Sequence, residues 1–465
     1  MTRKGESAIR IRWYETSDLE ARVPASWLRA SGWAEHRTIL VKFGAWETAC
    51  RVRASSDAGN GEGKGEGNGE ARDELWLPKA VLGGVRLPEG LRLEARRDAD
   101  RLEIGPVVGL LGSFRDRDMT DAALEQWLPY VGEYAYIGGL IVAFSLEGMM
   151  DDGRKAIGCA FDPASGSWVR GVYPLPSALY LRRAKIGMQA HRRLYKLFGR
   201  RFFNAYAFSK WEMYCWLRES SVGRFLPETA LLSDERGAEE LFERYGKLFF
   251  KHATGSRGVG IYAAERREDG IALSTGAGGA WTTRTLPDWG ETYRTLLAEV
   301  DAAAYVAQQA VPLARMNDRV MDIRAVVQKD EAGEWRVQAL IARLGPAGSR
   351  VSNVSRGGAA QHALTALEAY TGDRHAARRA CDDIAQLALA AASETERRSG
   401  FHYGNFGMDI ALDRFGALWL LEINNAYPDP TIALDANEPE LFARIMAAPL
   451  RYAKSLSGFA SSSIP

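Results

Sequence analysis

The sequence predicts a mixed α/β protein, of the α+β kind, folded as more than one domain. Three observations predict it. Period-two alternation runs through residues 7–103, helix-like and strand-like runs alternate from Gly105 onward, and an apolar hairpin pattern closes the region 407–424. A chain of 465 residues that is 46% apolar has ample material for buried cores.

In the first region, Ala8–Trp13, Thr38–Phe43 and Leu91–Ala95 read as half-buried strands, and Ala25–Ala30 as a short helix. Ser55–Glu74 is mostly Gly, Glu, Asn and Lys. It cannot bury apolar surface and reads as a flexible insertion, so 1–103 is a strand-rich N-terminal domain with an insertion at 55–74. The second region, 104–205, reads as an open α/β domain with a parallel sheet. Ala122–Leu128 is its short helix, and Tyr136–Phe144, too short to cross a bilayer as a helix, is a buried strand. The glycines of 105–112 lack the spacing of a dinucleotide fingerprint.

The third region spans 206–458. Ser209 caps a helix through Leu217, with Glu212 at the capping-box position, and Asp234–Tyr245 is another helix. Phe225–Thr229 between them reads as extended.

The bulk properties narrow the function. The formal net charge is +1, and apart from short pairs such as Arg182-Arg183 the basic residues read as spread out, so neither nucleic acid nor an anionic membrane is expected as the main partner. Four separated cysteines without a CxxC pair argue against a zinc ribbon, a dithiol motif or a disulfide framework, and fit a reducing cytoplasm. The N-terminus lacks the apolar core of a signal peptide.

Two segments carry chemistry. Leu248–Lys251 reads as a strand entering His252–Tyr262, a loop with three glycines and two hydroxyl residues. Its backbone N–H groups can approach phosphate oxygens, with Lys251 neutralising charge; a plain glycine hairpin fits the same residues. Further on, Gly407–Asp413 and Ala417–Asn424 are strands joined by a turn at Arg414–Gly416. Glu422 and Asn424 share a face, and hairpin pairing brings Asp409 to them. Two carboxylates and an amide are hard oxygen donors suited to Mg²⁺. An unpaired carboxylate at the end of so apolar a strand would be costly, which favours this reading over a solvated surface hairpin. Asp413 reads as a turn residue.

These segments together resemble the ATP-grasp superfamily. In GMDIALDRFGALWLLEIN an Asp stands thirteen residues before a Glu, with an Asn two further on, and KHATGSRGVGIY and SKWEMYCWL resemble the phosphate-binding lysine segments. More narrowly, IGPVVGLLG, YPLPSALYLRR, LPET, MDIRAVVQKD and NVSRGGAA resemble the YheC/YheD type of endospore coat-associated ATP-grasp protein. The resemblance implies an ATP-grasp fold after the two N-terminal domains, with ATP and Mg²⁺ as cofactors. It implies that Lys210 and Lys251 bind the α- and β-phosphates, and that Thr254, Gly255, Ser256, Gly258 and Gly260 close over the triphosphate. Gln309, Ala310 and Val311 would read adenine, and Asp409, Glu422 and Asn424 would hold the metal. Two positions depart from the pattern. Gly407 stands where D-alanine–D-alanine ligases carry an Arg, and Pro312-Leu313-Ala314 offers no acidic ribose contact, for which Asp318 is the substitute.

Arginine suits bidentate contact with phosphate or carboxylate. On the resemblance, Arg324 and Arg356 would face the γ-phosphate and an acylphosphate. For Arg324 and for Arg343 a structural ion pair fits the sequence equally, while Gly357-Gly358 permits close ligand approach at Arg356. The implied reaction is ATP-dependent amide formation between small-molecule or peptide carboxylates and amines. The alternatives are a kinase and a non-catalytic spore-coat component, with spore-coat proteins as candidate partners and a spore-associated location.

Overall fold

The computed structural model describes residues 9–55, 74–182, 186–255, 260–277, 280–346, 358–426 and 428–459. The chain divides into two compact units. One comprises Met1–Ala205, Asp330–Gly333 and Ala447–Pro465; the other comprises Tyr206–Lys329 and Glu334–Met446.

The first unit holds two sheets around one apolar core. Seven strands between Arg10 and Gly105 form the first sheet. Alternation works as expected in Thr38–Phe43, where Ile39, Val41 and Phe43 are buried and the intervening residues less so. Leu91–Leu93 are irregular instead, and the strand starts at Glu94. The second sheet has six strands. Val107–Ser113 is flanked in parallel by Leu140–Met149 and Ala178–Leu181, but Lys155–Asp162 and Ser167–Pro174 extend it antiparallel, so the expected parallel sheet is mixed. The expected strand from Tyr136 is also corrected. Tyr134–Ile137 is a helical turn, and Gly138 and Gly139, at φ +63° and +74°, turn the chain into a strand beginning at Leu140. A Cβ on Gly139 would stand 2.1 Å from the Pro106 carbonyl oxygen, so only glycine fits there. The helix expected over Ala122–Leu128 ends at Glu125, with a 3₁₀ turn over Leu128–Val131.

The second unit has two further sheets. In the first, the strands run in the order Thr229–Leu231, Tyr305–Gln309, Lys247–His252, Ile261–Arg267, Gly270–Ala277 and Ala280–Leu286, all antiparallel. Helices Glu235–Tyr245 and Trp289–Glu299 bury Leu241, Phe242, Trp289 and Leu296 against it. Gly223–Phe225 is a 3₁₀ turn, so the extended segment expected from Phe225 begins at Leu226 and leads into the strand at Thr229.

The other sheet runs Ala359–His362, Trp335–Leu344, Arg319–Lys329, Asn405–Leu412, Leu418–Asn424, again antiparallel. Its two faces differ. Ile323, Ala325, Met408 and Ile410 pack with Ile384, Leu387 and Ala391 of helix Arg374–Ser399. On the opposite face, Val326, Ala339 and Ile341 meet Ile432, Leu441 and Ile445 at one end. The other end of that face carries charge.

Candidate nucleotide and metal site

The charged end is built by register. Arg324 pairs across the sheet with Asp409, Asp409 with Glu422, and Gly407 with Asn424. Residues directly opposite in antiparallel strands share a face, so the expected convergence of Asp409, Glu422 and Asn424 is present in the backbone. A bulge follows Asp409, since Ile410 pairs with Leu420. The hairpin turn is held by Asp413, whose carboxylate accepts from the Phe415 and Ala417 N–H groups at 2.8 and 2.9 Å and from Trp419 Nε1 at 3.0 Å.

Asp409 is 8% exposed and heavily paired. Arg324 Nε donates to it at 2.6 Å and Arg343 Nη2 lies at 2.9 Å; Arg343 also forks onto Asp322 with two bonds of 2.6 Å. Burial alone would raise the Asp409 carboxyl, but the two guanidiniums outweigh it and hold it below the ordinary carboxylate range. Arg324 lies beside Gly407: a Cβ there would make ordinary contact with its Cδ and Nη1 at 3.4 Å and a tighter one with Pro428 Cβ at 3.0 Å.

Two lysines approach from the other elements. Lys210 opens helix Lys210–Leu217, where Ser209 and Glu212 form the expected capping box. Its Nζ donates to Glu422 Oε1 at 2.9 Å and to the Gly255 carbonyl at 2.6 Å. Lys251 Nζ donates to Gln308 Oε1 at 2.7 Å. Burial pushes the Lys251 ammonium down to about 8; Glu422 pulls against this, and Lys210 reinforces it. Between that value and its ordinary 10.5, the unfolded chain keeps a proton that the folded chain has lost. The stability contribution of Lys251 is therefore least favourable below pH about 8 and improves as pH rises through this window.

Sequence reasoning missed two groups here, and the partners of a third. Gln308, fully paired between Lys251 and Thr229, anchors the lysine. Asn425 exchanges two hydrogen bonds with the Phe208 backbone and so ties the Lys210 helix to the end of the Glu422 strand. Arg343 joins Asp322 to Asp409 as described. The NN pair and the i, i+2 pattern of MDIR were visible, but their partners lie far away in sequence.

The other expected residues fall as follows. Thr254 N and Oγ1 turn back to His252 Nδ1, and Gly260 has φ +66° beside Tyr305. Ser256, Gly258 and Arg356 lie outside the described residues. Gln309 closes its strand with its side chain on the Glu228 N–H at 3.1 Å, Ala310 N donates to Lys247 O, and Val311 leads to a segment docked on the hairpin through Ala314 N–Leu412 O. Asp318 is exposed and pairs with Arg315.

Among the described residues no three His, Cys, Asp or Glu side chains gather as a protein-only metal cage. The candidate donors are two carboxylates and the Asn424 amide, whose buried Nδ2 has no hydrogen-bond partner, so no hydrogen bond through that nitrogen fixes the amide's orientation. Such a sparse oxygen set fits Mg²⁺, which keeps several positions for water and phosphate.

An α+β unit of two antiparallel sheets, with lysines and a carboxylate hairpin meeting at the charged end, is the ATP-grasp architecture. A family model described as YheC/D like ATP-grasp matches residues 199–456, more than half of the sequence, and the chain belongs to that family. It is 26% identical over 377 residues to endospore coat-associated protein YheD of Bacillus subtilis (strain 168), covering 75% of this chain and 80% of that one. It is 22% identical over 295 residues to endospore coat-associated protein YheC of the same organism, covering 61% and 79%. Among solved structures, D-cycloserine synthetase DcsG is similar at TM-score 0.42 and 14% identity over 74% of this chain and 99% of that one. No described helix is long and apolar enough to cross a membrane.

Proposed function

We propose that the chain binds ATP with Mg²⁺ and joins a carboxylate to an amine through an acylphosphate. The observation that carries this reading is the cross-strand pair Asp409–Glu422 with Lys210 bonded to one of its members. Asp409, Glu422 and Asn424 would hold the metal, which when bound neutralises phosphate oxygens. Lys210 then exchanges a carboxylate for a phosphate oxygen, so its charge stays compensated. Lys251 takes a second phosphate, and Thr254, Gly255, Ser256, Gly258 and Gly260 cover the triphosphate. The backbone of Gln309, Ala310 and Val311 reads the adenine edge.

A substrate carboxylate oxygen attacks the γ-phosphorus as the bond to ADP breaks. An amine nitrogen then attacks the acyl carbon, phosphate leaves, and the nitrogen loses a proton. Arg324 and Arg356 face the transferred group, and catalysis consists of orientation and charge stabilisation. The resemblance of the relatives' names supports a role in the spore coat, with coat proteins as partners.

The test is ATP turnover with panels of carboxylates and amines. Ligation requires ADP, phosphate and an amide product together. ADP with a phosphorylated alcohol makes the protein a kinase, and Mg·ATP binding without any turnover makes it a non-catalytic coat component.

One prediction follows from Lys251. A phosphate beside it restores the favour for the charged form, so binding takes up protons where the free protein has lost them. The calorimetric enthalpy of binding a non-hydrolysable ATP analogue should depend on buffer ionisation enthalpy near its value of about 8, and far less two units lower. Equal buffer dependence at both pH values contradicts it.

A further inference from the structure

The near-neutral total charge hides an uneven distribution. From residue 163 to 211 the sequence has no Asp or Glu, while it holds Arg182, Arg192, Arg193, Lys196, Arg200 and Arg201 among its basic residues. This corrects the impression of evenly scattered cations. Helix Met188–Phe198 lies in that stretch and buries His191, Leu194 and Phe198 inward. At 3.6 residues per turn, Arg192, Arg193 and Lys196 project from the opposite side, and all three are exposed. Among the described residues none of these three side chains has an ion-pair or hydrogen-bond partner. Exposed cations elsewhere do, as in Arg37–Asp100 and Arg236–Glu240.

Apolar side chains flank this cationic strip. Met188 and Tyr195, 46% and 54% exposed, lie on one side, and Leu197, 36% exposed, on the other. The Tyr195 ring is stacked on His191 at 6.1 Å and 17°. Leu197 Cδ2 stands 3.3 Å from where a Gly153 Cβ would be, so the turn bearing the exposed Asp151 and Asp152 bounds the strip there.

We propose that this helix face docks an acidic polypeptide segment, one whose carboxylates are interspersed with aliphatic or aromatic side chains. Charge complementarity supplies the attraction, and the apolar flanks supply sites for the partner's apolar side chains. A membrane surface fits less well, because the exposed apolar residues sit on opposite flanks and the helix's most apolar face is already buried in its own core. Nucleic acid fits less well too. Three unpaired cations on one short helix fall well below the roughly six to ten phosphate contacts of strong electrostatic binding. The inference does not rest on the nucleotide reading.

The test is fluorescence anisotropy of the full chain with a labelled Glu-rich peptide carrying Leu and Phe. The triple variant R192E/R193E/K196E should bind about tenfold more weakly or worse, and R192Q/R193Q/K196Q should fall between it and the parent. Added salt should weaken the parent's binding. Thermal melting of both variants should match the parent, since the replaced side chains are exposed and make no ion pair or hydrogen bond among the described residues. No binding by the parent, or unchanged binding by the charge-reversed variant, overturns the proposal. So does tighter capture of single-stranded DNA or phosphatidylserine vesicles through the same three residues.

Discussion

Replacing Arg343 with methionine is expected to lower stability by about 3–5 kcal/mol, the cost of breaking a buried ion pair from one side. Arg343 forks onto Asp322, which is 4% exposed, and also reaches Asp409. Its removal leaves Asp322 without its guanidinium and Asp409 with Arg324 alone among the arginines. The midpoint of urea unfolding should shift strongly with an unchanged slope. Adding Asp322→Leu to Arg343→Met should recover much of the loss, because an apolar pair of similar size removes the stranded charge. Arg12→Ala, which breaks an exposed pair with Glu74, should cost under about 1 kcal/mol. If the Arg343 and Arg12 variants are equally stable, the account of the charged sheet end is wrong.

The second large effect concerns Glu422. Glu422→Gln keeps the shape and the Lys210 hydrogen bond but removes the charge opposite Asp409. With Glu422 in the proposed metal-binding role, losing its charge should reduce turnover by about a hundredfold or more, comparable to removing one preorganised electrostatic group. It should also weaken Mg²⁺-dependent nucleotide binding, read by calorimetry with and without the metal. Stability should change little, since Glu422 is only partly buried. Unaltered Mg²⁺ dependence would remove Glu422 from the site. The expected contrast between the two variants separates charges on one sheet face: stability falls for Arg343, nucleotide binding for Glu422 if it holds the metal as proposed.

The hairpin 405–424 was legible because the cues for its strands and turn are local. Alternation marks the two strands and Arg414–Gly416 the turn between them. The pairing that turn sets, Ile410 with Leu420, would leave Asp409 opposite Leu421; the bulge after Asp409, which no local cue announces, brings it opposite Glu422. The Ser209 capping box was legible because its cues are local too. What escaped depends on partners far away in the chain. Nothing near Asn425 announces Phe208, and nothing near Lys251 announces Gln308. For Arg324 and Arg343 the sequence offered an ion pair and a ligand contact alike; register joins both to Asp409, and the γ-phosphate role of Arg324 stays a proposal. The strand expected at Tyr136 failed at a specific point. The apolar run there passes through Gly138 and Gly139, whose positive φ ends one element and starts another. The antiparallel extension of the second sheet was equally invisible, because parallel and antiparallel neighbours can share the same apolar pattern.

The compact unit that begins at the N-terminus is finished by the chain's last described helix. Tyr452 sets its ring against Phe203 at 5.1 Å, Lys454 bonds Glu94 at 2.6 Å, Arg451 pairs with Glu133, and Phe459 is 5% exposed. During synthesis these seats wait empty while the other unit, Tyr206–Lys329 and Glu334–Met446, is made. The part of this unit that precedes Tyr206 is thus completed only after Ala447 and the residues beyond it are made, and a chain cut before Ala447 leaves the unit unfinished. The order of translation and the order of completion run in opposite directions.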